Sequence, residues 1–280
     1  GVFINPSDYD SDNNILYANK VRFNGSQPNR IIKLTNIESD PNITTINLGT
    51  TSPVYFSNLK LSPFNSNTLF LGTQSGRLYK SININGQPSS FNIGDDDFPT
   101  ANISSIDIGS SENELLVTFS NYGVSSIWYT QDGGSNWEEK ESTLPDMPVR
   151  WGLLHPDDSN YALIATEIGV WETSNLLDQN VNWFPSSSGL ANVRVDMLSM
   201  SGDKVLAATH GRGLFFGDFL AEGSLMGDLN NDNQINVLDI IILVNMIINS
   251  EDYSNNADIN SDTNIDILDV VLMVNLILDN

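Results

Sequence analysis

Along the first 220 residues the apolar positions fall into short runs rich in β-branched and aromatic side chains, each closed by a cluster of Asn, Asp, Ser, Pro or Gly. Such runs read as antiparallel strands rather than helices, because branched and aromatic side chains fit a half-buried pleated surface and the clusters supply turns. The strands recur as a unit. A polar or Pro-containing turn leads into one apolar run, and a Gly-centred turn leads into the next. The copies are INPSDYDSDNNILYAN from Ile4, LSPFNSNTLFLGTQSGRLYKS from Leu61, GSSENELLVTFSNYGVSSIWYT from Gly109, LHPDDSNYALIATEIGVWETS from Leu154 and SGDKVLAATHGRGLFFGDF from Ser201. The turn glycines Gly76, Gly123, Gly169 and Gly213 stand 44 to 47 residues apart. A period of roughly 40–50 residues suits a four-stranded propeller blade. The predicted fold is therefore an all-β propeller of about four and a half to five blades, incomplete because the chain opens inside a repeat.

After residue 220 the pattern changes. Residues 228–239 (DLNNDNQINVLD) and 258–269 (DINSDTNIDILD) write one acidic loop twice, thirty residues apart, and each copy runs into an almost wholly apolar segment. Oxygen-bearing side chains fall at loop positions 1, 3, 5, 7, 9 and 12, the spacing at which a turning loop wraps its oxygens around one calcium ion. The expected ligands are Asp228, Asn230, Asp232, the carbonyl of Gln234, Asn236 and Asp239 in the first loop. In the second they are Asp258, Asn260, Asp262, the carbonyl of Asn264, Asp266 and Asp269. Two calcium ions are expected, one per loop. The apolar segments, residues 240–248 and 270–278, are β-branched enough to pass for strands, but position 9 offers a helix N-cap (Asn236, Asp266). Position 12 also puts Asp239 and Asp269 in the first turn, where the helix dipole favours negative charge. They are predicted to be short helices that persist only through packing, with Ile235 and Ile265 tying the loops together. The expected organisation is a propeller over residues 1–220, a linker over 221–227 and a small all-α duplicated calcium-loop domain over 228–280.

The composition is globular, and 40% hydrophobic content supports a sizeable core. A formal net charge of −23 argues against nucleic acid and anionic membranes as partners. No Lys or Arg follows Arg212, so the last 68 residues carry their negative charge without an internal counter-ion, and cation binding is expected to be coupled to folding. The absence of cysteine excludes disulfides and thiolate metal sites. No apolar stretch is long enough to span a bilayer, and no signal peptide is visible. The chain begins at Gly1 rather than Met, and is expected to be the C-terminal part of a longer exported protein.

One hairpin carries a sharper signature, Thr130-Gln-Asp132-Gly-Gly134-Ser-Asn-Trp137. It resembles the Asp-box (BNR) repeat of sialidases, xyloglucanase-type hydrolases, sortilin ectodomains and other secreted propellers, and a degenerate relative, Thr173-Ser-Asn175 with Trp183, follows one blade later. Its physics is structural: Asp132 can staple the turn, Gly134 can take a positive φ and Trp137 can pack between blades. Arg150 beside Trp151, His155, Glu167, Arg194 beside Asp196, and His210 with Arg212 could converge at one end of the propeller. They form no recognisable catalytic set, and no catalytic residue is assigned.

The tail resembles a type I dockerin, the duplicated calcium-loop and helix module that docks cellulosomal enzymes onto cohesins. Of 22 aligned pairs from Asp228/Asp258 onward nine are identical, and position 12 is Asp where calmodulin-like EF-hands use Glu. Two departures stand out. Position 6, usually Gly, is Asn233 or Thr263, and positions 10 and 11, often Ser-Thr in cellulosomal dockerins, are Val237-Leu238 and Ile267-Leu268. The resemblance implies attachment to a cohesin-like or cell-surface protein through an apolar face. The chain is accordingly expected to be extracellular or cell-surface, its propeller binding a glycan or protein in the course of polysaccharide breakdown. The alternative is a glycoside hydrolase whose propeller is only partly present.

Overall fold

The structure, a computed structural model, describes residues 5–20, 29–50, 55–94, 96, 98–186, 190, 192–219, 227–229, 235–249, 256–260, 262 and 264–278. Among the described residues nineteen strands form five antiparallel sheets in chain order. The first holds β1 (Ser7–Asp10), β2 (Ile15–Asn19), β3 (Arg30–Thr35) and β4 (Asn42–Asn47). The second holds β5 (Phe56–Leu61), β6 (Leu69–Thr73), β7 (Leu78–Ile82) and β8 (Ser89–Asn92). The third holds β9 (Ile103–Ile108), β10 (Leu115–Phe119), β11 (Ile127–Thr130) and β12 (Glu138–Glu139). The fourth holds β13 (Val149–Leu154), β14 (Ala162–Thr166), β15 (Gly169–Thr173) and β16 (Phe184–Ser186). The fifth is three-stranded, with β17 (Val195–Ser201), β18 (Lys204–Thr209) and β19 (Gly213–Asp218). Each sheet is a meander, and the first strands of the first four, β1, β5, β9 and β13, are successive neighbours. This is the predicted propeller plan. The turn glycines Gly76, Gly123, Gly169 and Gly213 all take positive φ, at 78, 70, 117 and 81°. Among the described residues the only helices are α1 (Val237–Asn249) and α2 (Ile267–Leu278), and neither is long and apolar enough to cross a membrane.

By compactness the chain divides into two units, Gly1–Leu198 with Ala207–Phe215, and Ser199–Leu206 with Phe216–Asn280. Within the first, side chains alternate between the two faces of each strand, and β6 and β10, at the centre of the second and third sheets, are buried on both faces because their sheets are sandwiched between neighbours. Leu69 and Leu71 of β6 face the first sheet and join Ile15, Tyr17 and Ile31, while Phe70 between them faces the third and joins Ile103 and Val117. Leu115 and Val117 likewise face the second sheet, and Leu116 faces Leu154 and Ile164 of the fourth. A one-residue slip in any of these strands would exchange its two faces, so the register is tightly specified.

Polar side chains stitch the sheets near the axis. Asp8 Oδ2 accepts from Leu61 N at 2.6 Å, Asp107 Oδ2 from Leu154 N at 2.9 Å, and Lys60 Nζ donates to Asp107 Oδ1 at 3.1 Å. Burial opposes the Lys60 charge, but the carboxylates of Asp107 and Asp8 outweigh it and hold the ammonium above its ordinary range. Burial pushes the Asp8 carboxyl up, and the Leu61 N–H and the Lys60 ammonium offset this only in part.

The Thr130 to Trp137 hairpin stitches the outer edge. Asp132 Oδ1 accepts from Thr130 Oγ1 at 2.8 Å and from Asn136 N at 2.9 Å, and Asn136 Nδ2 donates to Asp132 Oδ2 at 2.6 Å. The side chain and then the N–H of Asn136 hold the Asp132 carboxyl down at about 2. Gly134 has φ +90°, and the Trp137 indole N–H donates to Ile93 O, beyond the end of β8, at 2.7 Å. The relative one sheet later repeats the design: Asn175 Oδ1 accepts from Thr173 Oγ1 and Asn182 N, both at 2.9 Å, and Trp183 Nε1 donates to Lys140 O at 2.8 Å.

Candidate functional site

A cavity of about 720 Å³ opens at one end of the first unit. In each meander the start of the first strand and the turn between the second and third strands lie at that same end. Asn5, Pro6, Phe56, Ser57, Asn58, Asn102, Ser104, Arg150, Trp151, Arg194 and Asp196 come from the starts of first strands. Gln74, Ser120 and His210 come from the second turns. Three sheets share a local irregularity here. Phe56 and Asn58 pair with Thr73 and Gly72, leaving Ser57 as the extra residue of a bulge. Ile103 and Ser105 pair with Phe119 and Thr118, leaving Ser104, and Val149 and Trp151 pair with Thr166 and Ala165, leaving Arg150. A bulge frees one side chain from the alternation and re-aims it. All three bulge residues line the cavity.

Five of the seven charged candidates named from the sequence come together at this end. Arg150 Nε donates to Glu167 Oε1 at 2.8 Å, and its Nη2 donates to the same oxygen. Asp196 Oδ1 accepts from Arg194 Nε at 2.6 Å and lies 3.9 Å from Arg150 Nε, and Asp196 Oδ2 meets His210 Nδ1 at 3.2 Å. Two carboxylates, two guanidinium groups and an imidazole thus form one chain of contacts with Trp151 beside it. Such an arrangement can recognise hydroxyls, with Asp196, Arg150, Arg194 and His210 in the lining and Glu167 behind Arg150. The other two candidates stand apart. His155 follows β13 at the opposite end of the strand from Arg150 and is buried, its Nδ1 accepting from Asp157 N at 3.2 Å. Arg212 is outside the lining, its N–H donating to Thr209 Oγ1. Ser57, Asn58, Gln74 and Asn102 were not singled out from the sequence, since short polar residues at strand starts look like ordinary turn chemistry.

The tail holds the second candidate site. Asn230, Asp232 and Gln234 lie outside the described residues, as do Asn233 and Thr263. The other expected ligands are placed, and both loops end in the same way. Asn236 Oδ1 accepts from Leu238 N at 2.8 Å and Asp239 Oδ2 accepts from Asn236 N at 2.9 Å, a reciprocal cap on α1. Asp266 Oδ1 accepts from Leu268 N at 2.7 Å and Asp269 Oδ2 from Asp266 N at 2.8 Å, the same cap on α2. The second oxygen of each position-12 carboxylate reaches the start of its own loop: Asp239 Oδ1 accepts from Leu229 N at 2.9 Å, and Asp269 Oδ1 from Asn260 N at 3.3 Å. Gly227 N donates to Asn256 O at 3.0 Å, which joins the loops, and Ile235 and Ile265 enter one core with Leu243, Ala257 and Met273.

Asp228, Asp239 and Asp269 are 0% exposed and Asp258 1%. Four wholly buried carboxylates in a segment with no Lys or Arg are costly unless a cation compensates them. The donors are all oxygen, which suits a hard divalent ion. The residues therefore fit calcium. Among the described residues, however, no three acidic or histidine side chains are gathered at ion-holding distance. The described geometry turns several of these side chains elsewhere: Asp262 Oδ1 accepts from Asn264 N at 2.9 Å, and Asp266 caps α2.

Residues 226–278 match the family model of the dockerin type I domain. The tail is thus a dockerin, and domains of this type generally bind calcium and attach to cohesins. No curated protein matches the chain. Among solved structures, the chain is similar to a GH74 enzyme of Niastella koreensis, at 16% identity and a TM-score of 0.51 over 75% of this chain and 35% of that one. It is also similar to an ancestral GH74 enzyme, at 18% identity and a TM-score of 0.50 over 72% of this chain and 27% of that one. At such identities the likeness is one of fold, that of a propeller. The chain spans 35% and 27% of the lengths of those two enzymes.

Proposed function

We propose that this chain belongs to a secreted modular protein whose calcium-loaded tail attaches it to a cohesin-like or cell-surface partner while its propeller cavity binds an extracellular glycan. The observation that carries the attachment is the duplicated cap-and-carboxylate geometry inside a segment matching the dockerin model. Two ions are proposed, one held by Asp228, Asn230, Asp232, the Gln234 carbonyl, Asn236 and Asp239. The other is held by Asp258, Asn260, Asp262, the Asn264 carbonyl, Asp266 and Asp269. Calcium would supply the positive charge the segment lacks and draw the loop oxygens inward, coupling binding to folding. The partner would meet the exposed Val237, Leu238 and Ile241 or their counterparts Ile267, Leu268 and Val271. The hairpin around Asp132 is read as an Asp-box that staples the propeller. Titration calorimetry on the full chain tests the metal sites: two calcium equivalents are expected, falling to one in Asp228→Ala or Asp258→Ala. Unchanged stoichiometry in the double variant would contradict the assignment. Calcium-dependent retention on immobilised cohesins, lost in chelator, tests the attachment.

A second reading, a glycoside hydrolase, is favoured by two carboxylates, Asp196 in the cavity lining and Glu167 bonded to the lining Arg150, and by the enzymes that share the fold. Release of reducing sugar by the full-length protein, abolished by Glu167→Gln or Asp196→Asn, would support it. Retention without turnover supports the binder.

A further inference from the structure

Two side-chain atoms of residues that line the cavity, Ser57 Oγ and Asn58 Oδ1, are buried and have no hydrogen-bond partner. Asn58 is 8% exposed, and its Nδ2 donates to Ser104 O at 3.1 Å. That bond fixes the amide, because a carbonyl oxygen accepts only from the NH₂ end, so the group left over is an acceptor. A buried acceptor without a donor is costly, which makes each such group a marker of something that belongs beside it. The next sheet shows that the fold itself does not impose this state. Ser104, the bulge residue matching Ser57, donates to Val149 O at 2.6 Å and shares a bond with Thr118 Oγ1 at 2.8 Å. Ser105, in the register of Asn58, accepts from Gly152 N at 2.8 Å.

The charges around these atoms restrict what can sit there. Arg150 is paired with Glu167, Arg194 with Asp196, and Lys60 with Asp107. An anionic ligand would have to displace a resident carboxylate, whereas a hydroxyl can donate to Asn58 Oδ1 and both donate to and accept from Ser57 Oγ. The half-buried Trp151 adds a ring face of the kind on which a sugar ring packs. We infer that Ser57 and Asn58 form a hydroxyl-reading subsite of the cavity and that the ligand seated there is an uncharged glycan segment. This rests on the proposal that the cavity binds a glycan, and narrows it.

The test uses the full chain in calcium, with affinity electrophoresis against neutral polysaccharides (galactomannan, mixed-linkage β-glucan, arabinoxylan) and anionic ones (polygalacturonate, alginate). At least one neutral polymer should retard the protein, with the anionic ones weaker. Ser57→Ala should weaken that retardation about fivefold while leaving the melting temperature unchanged to about 1 °C, because the hydroxyl makes no bond in the free protein. Asn58→Leu, which also orphans Ser104 O, should weaken it on the order of tenfold, and its melting curve separates binding from folding. Tighter binding of an anionic polymer, native affinity in both variants, or a large stability loss in Ser57→Ala would each overturn the inference. Failure of every polymer, neutral and anionic, would instead overturn the glycan reading of the cavity, and the inference would go with it.

Discussion

Asp239 carries a cap and a proposed calcium ligand on one carboxylate, and two substitutions separate these roles. Its oxygens accept from Asn236 N and Leu229 N, both at 2.9 Å, so Asp239→Ala removes its half of the reciprocal cap on α1 and the tie to the loop start together. Loss of a helix cap costs about 1 kcal/mol, and a backbone donor left buried without a partner costs roughly 1–3 kcal/mol. The alanine variant should therefore lose about 3 kcal/mol in chelator, the combined cost of the cap contact and one stranded donor, and about 2.7 kcal/mol more in calcium at a hundred times the dissociation constant. Asp239→Asn keeps one acceptor and removes a charge that no Lys or Arg of residues 213–280 offsets. In chelator the asparagine variant should equal the native tail to within about 1 kcal/mol, since the lost hydrogen bond and the removed buried charge oppose each other. In calcium at a hundred times the dissociation constant it should fall behind by about 2.7 kcal/mol, the mass-action contribution of one site. For a unit of 60–100 residues, 1 kcal/mol moves the midpoint by roughly 4–8 °C, so the deficit in calcium is about 10–20 °C. Ellipticity at 222 nm in the full chain reports this unit, because among the described residues only α1 and α2 are helical. An asparagine variant that lost the same amount in calcium and in chelator, or a native chain melting alike in both, would refute the reasoning.

Three further outcomes follow from the propeller. Lys60→Met leaves the Asp107 carboxylate without its ammonium at 3.1 Å; because Lys60 is 32% exposed at the side chain, the cost should be about 1–3 kcal/mol, measured by urea unfolding. Gly76→Ala places a Cβ 2.0 Å from Pro99 O at φ +78°, whereas Gly123→Ala at φ +70° meets nothing within 4 Å. The second should cost only the left-handed strain of about 1 kcal/mol and the first several times that, read from melting temperatures. Asp132 has a folded pKa of about 2 against an ordinary 3.8, so its stabilisation is complete above 3.8 and is lost as pH falls through about 2. An acid titration of the native chain should show that loss, and one of Asp132→Asn should not.

Much of this was legible in the sequence because the signals were local. Gly76, Gly123, Gly169 and Gly213 announce their positive φ by spacing alone, and Asn236 and Asp266 announce helix starts through the oxygen that each aims at the N–H two residues on. The helices, expected over 240–248 and 270–278, begin at Val237 and Ile267, because a cap at loop position 9 starts the helix at position 10 and not where the apolar run becomes continuous. What the sequence hid depends on which end of a strand a residue occupies. Arg150 and His155 look alike as isolated charges, yet five residues of β13 carry them to opposite ends of the sheet, and only Arg150 reaches Glu167 and Asp196.

The recurrent bulge explains why the chemistry collects where it does. Along β5, β9 and β13 most positions are committed, since Phe56, Leu59 and Leu61, then Ile103, Ile106 and Ile108, then Val149 and Leu154 each fill a core, while Lys60, Ser105 and Asp107 bond to neighbouring strands. The bulge residue alone stands outside that register. Ser57, Ser104 and Arg150 therefore differ in size and charge at one position of the repeat without disturbing the packing, and all three line the same cavity. The surroundings then decide what each one does: Val149 O of the next sheet takes up the Ser104 hydroxyl, Glu167 in the second turn of its own sheet takes up the Arg150 guanidinium, and Ser57 Oγ has no protein partner. A repeat built this way can change what it recognises through one slot per blade while its core stays fixed, so substitutions at these three positions should alter ligand selection far more than they alter stability.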